Sequence, residues 1–123
     1  MKICVAEYGG FCFGVKRAVD TVLACADEQK PGRVFTWGPI IHNEQVLSML
    51  RERGVKPIED ASRADAGDRV IIRSHGTVPE VFDELAARGC IVVDATCPYV
   101  SRIPRIVREA HEEGRTVFIV GTR

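Results

Sequence analysis

Three absences bound what this sequence can do. It has no apolar run near the ~20 residues a membrane-spanning helix needs, and no Cys-x-x-Cys pair. It also has no excess of either charge, with Lys plus Arg and Asp plus Glu at 17 each. The first absence excludes a helical membrane span. The second argues against a thioredoxin-type redox site and a zinc ribbon. The third removes the electrostatic basis for binding nucleic acid or a membrane surface. There is no internal repeat at a fixed period and no low-complexity segment. The start, Met1-Lys2-Ile3-Cys4-Val5, lacks the charged n-region, long apolar core and cleavage site of a signal peptide, and it is not an Arg/Ser-rich transit peptide. A cytoplasmic location in a prokaryote is the expectation.

Two phosphate motifs also fail. Gly9 and Gly14 have Walker A spacing, but Val15 follows and Lys16 comes one place late. Gly9-Gly10 with Gly14 is not the dinucleotide pattern G-x-G-x-x-G.

What is present fits one globular domain, or one domain and part of another, in 123 residues that are 46% apolar and 28% charged. Five cysteines is a high and odd count for a reducing compartment. That points to metal ligation, catalysis or burial rather than a disulfide framework.

Four strand-then-helix units and one further strand can be read. Residues 2–7 read as a first strand, followed by a helix whose face carries Val15, Ala18, Val19, Val22, Leu23 and Ala26. Arg33–Trp37 is the second strand. Asn43 then caps a helix with Val46, Leu47 and Leu50 inward, ended by Gly54. A very short strand is placed at Val55-Lys56. Arg69–Arg73 is the third strong strand, and Thr77 and Glu80 have capping-box spacing ahead of a helix that holds Pro79 early and ends at Gly89. Cys90–Asp94 is the fourth strand, before a helix over 99–113 in which Pro104 predicts a kink or a shifted start. Thr116–Val120 reads as a last strand.

Alternation of this kind implies an α/β fold, a three-layer-type domain with a largely parallel sheet flanked by helices. The last strand has no helix after it, which suggests truncation of a longer protein.

Ligands of open α/β sheets bind beyond the C-terminal strand ends. Four loops there carry chemistry: Gly9–Gly14 with Cys12, Gly38–Asn43 with His42, Ser74–Thr77 with His75, and Ala95–Pro98 with Cys97. Two cysteines and two of the three histidines thus sort to one edge. Cys12 lies in a Gly-rich loop before a helix N-terminus, which stabilises a thiolate, and Cys97 lies in a strand-to-helix loop and is followed by Pro98, a pair that recurs at iron–sulfur ligands. Cys12 is also a small apolar filler on the blander reading, and the Cys-Pro dipeptide alone is a weak signal. Cys4, Cys25 and Cys90 read as packing residues. His42 and His75 suit anion binding or proton supply as well as structural hydrogen bonding. His111 near a helix C-terminus suits the helix dipole and no more.

Four motifs resemble those of the 4-hydroxy-3-methylbut-2-enyl diphosphate reductase (LytB) family: Gly10-Phe11-Cys12-Phe13-Gly14-Val15 with Arg17-Ala18, Gly38-Pro39-Ile40-Ile41-His42-Asn43, Ser74-His75-Gly76, and Asp94-Ala95-Thr96-Cys97-Pro98. The resemblance runs in order over the whole chain. It implies an iron–sulfur oxidoreductase of the non-mevalonate isoprenoid pathway. Such an enzyme reductively removes a hydroxyl from an allylic diphosphate, giving isopentenyl and dimethylallyl diphosphate, with electrons from ferredoxin or flavodoxin.

It also implies a [4Fe–4S] cluster held by three cysteines from three similar domains. Cys12 and Cys97 are two of those metal ligands, and His42 and His75 bind the substrate diphosphate. The third cysteine, the proton-relay Glu with its neighbouring His, and later Thr, Ser and Asn contacts would lie beyond Arg123. The chain alone is therefore expected to be inactive. The expected boundary places 1–96 in a first α/β domain and 97–123 at the start of a second. Two other readings remain: a non-catalytic domain binding a phosphorylated ligand, and a zinc protein using Cys12, Cys97, His42 and His75.

Overall fold

The computed structural model describes residues 1–5, 7, 9–28 and 30–120. Its elements in order are α1 (Phe13–Asp27), β1 (Val34–Trp37), α2 (Glu44–Glu52), β2 (Lys56–Ile58), β3 (Arg69–Ile72), α3 (Pro79–Ala87), β4 (Ile91–Asp94) and α4 (Pro98–Glu112), with a 3₁₀ turn at Ala61–Arg63.

The strands form one parallel sheet in the order β2-β1-β3-β4. Strand side chains alternate between two cores, as a period of two requires. Val34, Ile71 and Val93 face α1 and α2, where Ala18, Val22, Ile40 and Leu50 are buried. Phe35, Val70, Ile72 and Val92 face α3 and the 3₁₀ turn, packing on Leu85, Ala61 and Ala64. Both faces are covered, so the strands read as continuous apolar runs. Pro57 is tolerated because β2 is an edge strand.

Chain order reverses across the sheet. From β1 the chain moves outward to β2, then crosses to β3 on the other side and continues to β4. A switch point therefore lies between β1 and β3, where such sheets open a crevice. The register is flush: Trp37 pairs with both Ile58 and Ile72, and Ile72 pairs with Asp94. All four following loops thus start at one level.

Most sequence expectations hold within a residue or two, and three details differ. The strands expected at 2–7 and 116–120 do not form among the described residues, and Ala6 lies outside them. Strand hydrogen bonds need a neighbour, and these segments meet none. Ile3, Val5, Phe118 and Val120 are all exposed. Cys4, expected in a core strand, is exposed for the same reason.

The Thr77–Glu80 capping box is also not made. Val78 is the N-cap, without a side-chain cap bond, and Pro79 at the first position makes one N–H donor unnecessary. Finally, α4 starts at Pro98, one residue before the expected start, and runs through Pro104, with no buried residue along its length.

Candidate functional site

Each expected site residue owes its place to local chemistry. After β1, Gly38 turns the chain at φ 65°, and its N–H donates to the Ile58 carbonyl at 2.7 Å. The loop then buries Ile40 and Ile41. Asn43 caps α2 by accepting from the Val46 N–H at 3.0 Å. His42 is thereby held between an apolar anchor and a cap, with its ring exposed. After β3, Ser74 is buried and its carbonyl accepts from the Cys97 N–H at 2.8 Å. Gly76 turns the chain against Thr96, at φ 75°.

The two loops flank the switch point, and their imidazoles meet. The His42 and His75 rings stack with centroids 6.0 Å apart and planes 15° from parallel. The Ser74 hydroxyl lies 3.3 Å from His75 Nδ1. The His75 pKa lies below the ordinary 6.5, mainly through desolvation, then through Arg73 and His42. Its proton is thus bound more readily by the unfolded chain. Stability is full above the ordinary histidine range and falls as pH drops through 6.5. An anion bound at the stacked pair would oppose this loss. Melting curves at about pH 5.5 should therefore rise with added inorganic pyrophosphate, and by less at about pH 8.

The thiols occupy matching positions. Cys12 is the N-cap of α1 and Cys97 the N-cap of α4; each helix has 15 residues, and neither cap is made by the sulfur. Cys12 is exposed and Cys97 is buried. Cys97 packs on the first turn of α1 at Gly14, where an added Cβ would fall 2.6 Å from its Sγ and 2.8 Å from its Cβ. Arg17, on the next turn of α1, donates to the Thr96 carbonyl at 2.8 Å. The start of α1 is thus fastened to the loop after β4.

Replacing Gly14 with alanine gains up to about 1 kcal/mol of helix propensity. Overpacking costs roughly 1–3 kcal/mol, and here the Cys97 Cβ blocks relief by rotation of the sulfur alone. A net loss of about 1–2 kcal/mol by denaturant titration is expected.

Cys97 therefore lies beside both the Cys12 helix start and the His75 loop, and His42 lies against His75. No group of three His, Cys, Asp or Glu side chains able to hold a metal forms among the described residues. The two thiols fit part of a thiolate donor set, each at a helix N-terminus. Cys25 is buried on the inner face of α1 and burial pushes its thiol pKa up, while Cys90 donates to the Asp65 carbonyl at the opposite sheet edge. His111 sits in the last turn of α4, away from the loops.

Arg73, which sequence reading placed only at the end of the third strand, lies beside the site, where its charge helps hold the His75 pKa down. Its signal was a charge closing the otherwise apolar run Val70-Ile71-Ile72, directly before Ser74-His75.

The family model described as LytB protein matches residues 3–123. The protein named 4-hydroxy-3-methylbut-2-enyl diphosphate reductase of Thermoanaerobacter sp. (strain X514) is 45% identical over 125 residues, covering 100% of this chain and 43% of the relative. Its namesake from Aquifex aeolicus (strain VF5) is 46% identical over 123 residues, covering 100% and 42%. This chain thus spans less than half the length of these curated relatives. A solved structure of (E)-4-hydroxy-3-methyl-but-2-enyl diphosphate reductase, the terminal enzyme of the non-mevalonate pathway, superposes with TM-score 0.83 at 45% identity, over 98% of this chain and 42% of that one. The Plasmodium falciparum E-1-hydroxy-2-methyl-but-2-enyl-4-diphosphate reductase superposes with TM-score 0.78 at 33% identity, over 87% and 33%.

Proposed function

The chain belongs to the LytB protein family, and from that membership we propose that its C-terminal sheet edge is part of the active site of a 4-hydroxy-3-methylbut-2-enyl diphosphate reductase. The observation that carries the reading is the stacked pair His42–His75 at the switch point. The loop that holds His75 is hydrogen-bonded through Ser74 to Cys97, which packs on the Cys12 helix.

Cys12 and Cys97 are two of three thiolates that would hold a [4Fe–4S] cluster, and the third comes from outside these residues. When bound, that cluster supplies a Lewis-acidic iron for the substrate hydroxyl and the electrons that remove it as water. His42 and His75 bind the substrate diphosphate. The His75 imidazole gains a proton more readily as the anion enters, because the anion's charge offsets the desolvation and the neighbouring Arg73 charge that hold its pKa down. Gly14 lets the first turn of α1 pack closely on Cys97, which brings a helix N-terminus, a favourable place for negative charge, to the Cys97 loop. Fastening α1 to the loop after β4 through Arg17 keeps the two thiol loops in one arrangement.

The matched Cys-capped helices support a boundary at 96/97, with α4 as the first helix of a second, similar domain. The electron donor is a ferredoxin or flavodoxin and the location is cytoplasmic. No described helix is long and apolar enough to cross a membrane.

A chimera of this chain with the remaining residues of the Aquifex aeolicus relative tests the reading. Purified anaerobically, it should be brown, absorb near ~400 nm and reduce the allylic diphosphate. A folded, colourless and inactive chimera would falsify it.

A further inference from the structure

Arg73 follows β3 directly, on the edge that carries His42 and His75. Its guanidinium lies over Gly38, where an added Cβ would fall 2.8 Å from Nη1. Its Nε is buried and meets no hydrogen-bond partner among the described residues. It forms no ion pair there either.

Arg69, at the other end of the same strand, is the contrast. Its Nε is also unpartnered, but its Nη1 donates to Glu28 at 2.9 Å, which answers its charge. A cation held partly out of water needs a counter-charge. Arg73 has none from the described protein, and it is close enough to His75 to disfavour a second positive charge there. An anion at this edge would answer the Arg73 charge and relieve its repulsion of a protonated His75.

We infer that Arg73 is the permanent cation of the anion site between the β1 and β3 loops, supplying the part of diphosphate affinity that does not depend on histidine protonation. The inference rests on the diphosphate reading of His42 and His75 and adds a division of labour. Guanidinium stays charged at every working pH, whereas the imidazoles lose their charge above the histidine range. Gly38 leaves room for this placement, since a Cβ there would displace the guanidinium. The backbone at φ 65° also favours glycine.

Titration of the 123-residue chain with inorganic pyrophosphate at two pH values separates the roles. The parent should bind at about pH 5.5 and retain measurable binding at about pH 8.5. Arg73→Gln should lose at least about tenfold in affinity at the higher pH and less than about threefold at the lower, so its pH profile steepens. Its His75 ring should titrate at higher pH by nuclear magnetic resonance, a change that a purely structural arginine would not produce.

Equal affinities of parent and variant at the higher pH would overturn the inference and leave the histidine reading standing. So would parental binding at the lower pH only. No binding at either pH would remove both. Should Arg73→Gln fail to fold by circular dichroism, Arg73→Lys decides. A retained charge predicts affinity at the higher pH within about fivefold of the parent, and a loss beyond about tenfold overturns the role.

Discussion

Cys97→Ser or Cys12→Ser in the chimera should cut its absorbance near ~400 nm at least about tenfold, with activity falling as far. Serine keeps the shape of cysteine and removes the thiolate, so the change reads ligation and not packing. Cys97 is the sharper test, because it is buried against Gly14 and the serine hydroxyl has the same small space to occupy. Cys4→Ser, at an exposed position, should leave the colour intact. Colour that survives in both ligand variants would contradict the assignment.

Asp68→Ala should cost about 3 kcal/mol of stability, the largest loss expected from a single residue outside the apolar core. The carboxylate is 4% exposed and sits at the sheet edge opposite the site. It accepts from the Arg33 N–H at 2.7 Å, Arg33 Nε at 3.0 Å, Arg33 Nη2 at 2.6 Å and the Asp65 N–H at 2.9 Å. Alanine removes the acceptor of four hydrogen bonds, two of them from the Arg33 guanidinium, which keeps its ion pair to Asp65 at 2.6 Å.

Burial works to raise the Asp68 pKa, but the Arg33 and backbone hydrogen bonds outweigh it, and the net shift is downward. A depressed carboxylate stabilises above its unfolded value of about 3.9, and that contribution disappears as pH falls through the lower folded value. Urea midpoints of parent and variant should therefore differ widely at about pH 7 and converge below about pH 3.

The edge that carries the site was readable from sequence because the loops of His42, His75 and Cys97 follow strands with strong local signatures. Val70-Ile71-Ile72 and Ile91-Val92-Val93 are apolar on successive residues, and Gly38, Gly76, Asn43 and Pro79 mark the turns and helix starts that follow. Sorting His42, His75 and Cys97 to that edge needed only the alternation of strands and helices, whereas Cys12 reaches the Cys97 loop through the packing of α1, since no strand forms ahead of it among the described residues.

Other features were hidden because they depend on contacts distant in sequence. Strand order decides which loops flank the crevice, and nothing local says that β2 lies outside β1. The seat of Cys97 on Gly14 joins positions 83 residues apart (97 − 14). Apolar pattern alone also overstated the ends. Residues 2–7 and 116–120 have strand composition, but composition supplies no partner strand, and the described parts stay exposed. Arg73 drew no functional reading because a charge at a strand end is usually a solvated one.

Pyrophosphate titration followed in ¹⁵N-labelled protein tests most directly whether thiol and imidazole loops share one site. The His42 and His75 rings and the Gly14 and Cys97 amides should shift along a single saturable isotherm. Shifts confined to the imidazoles, with α1 and the Cys97 loop unmoved, would contradict a common pocket.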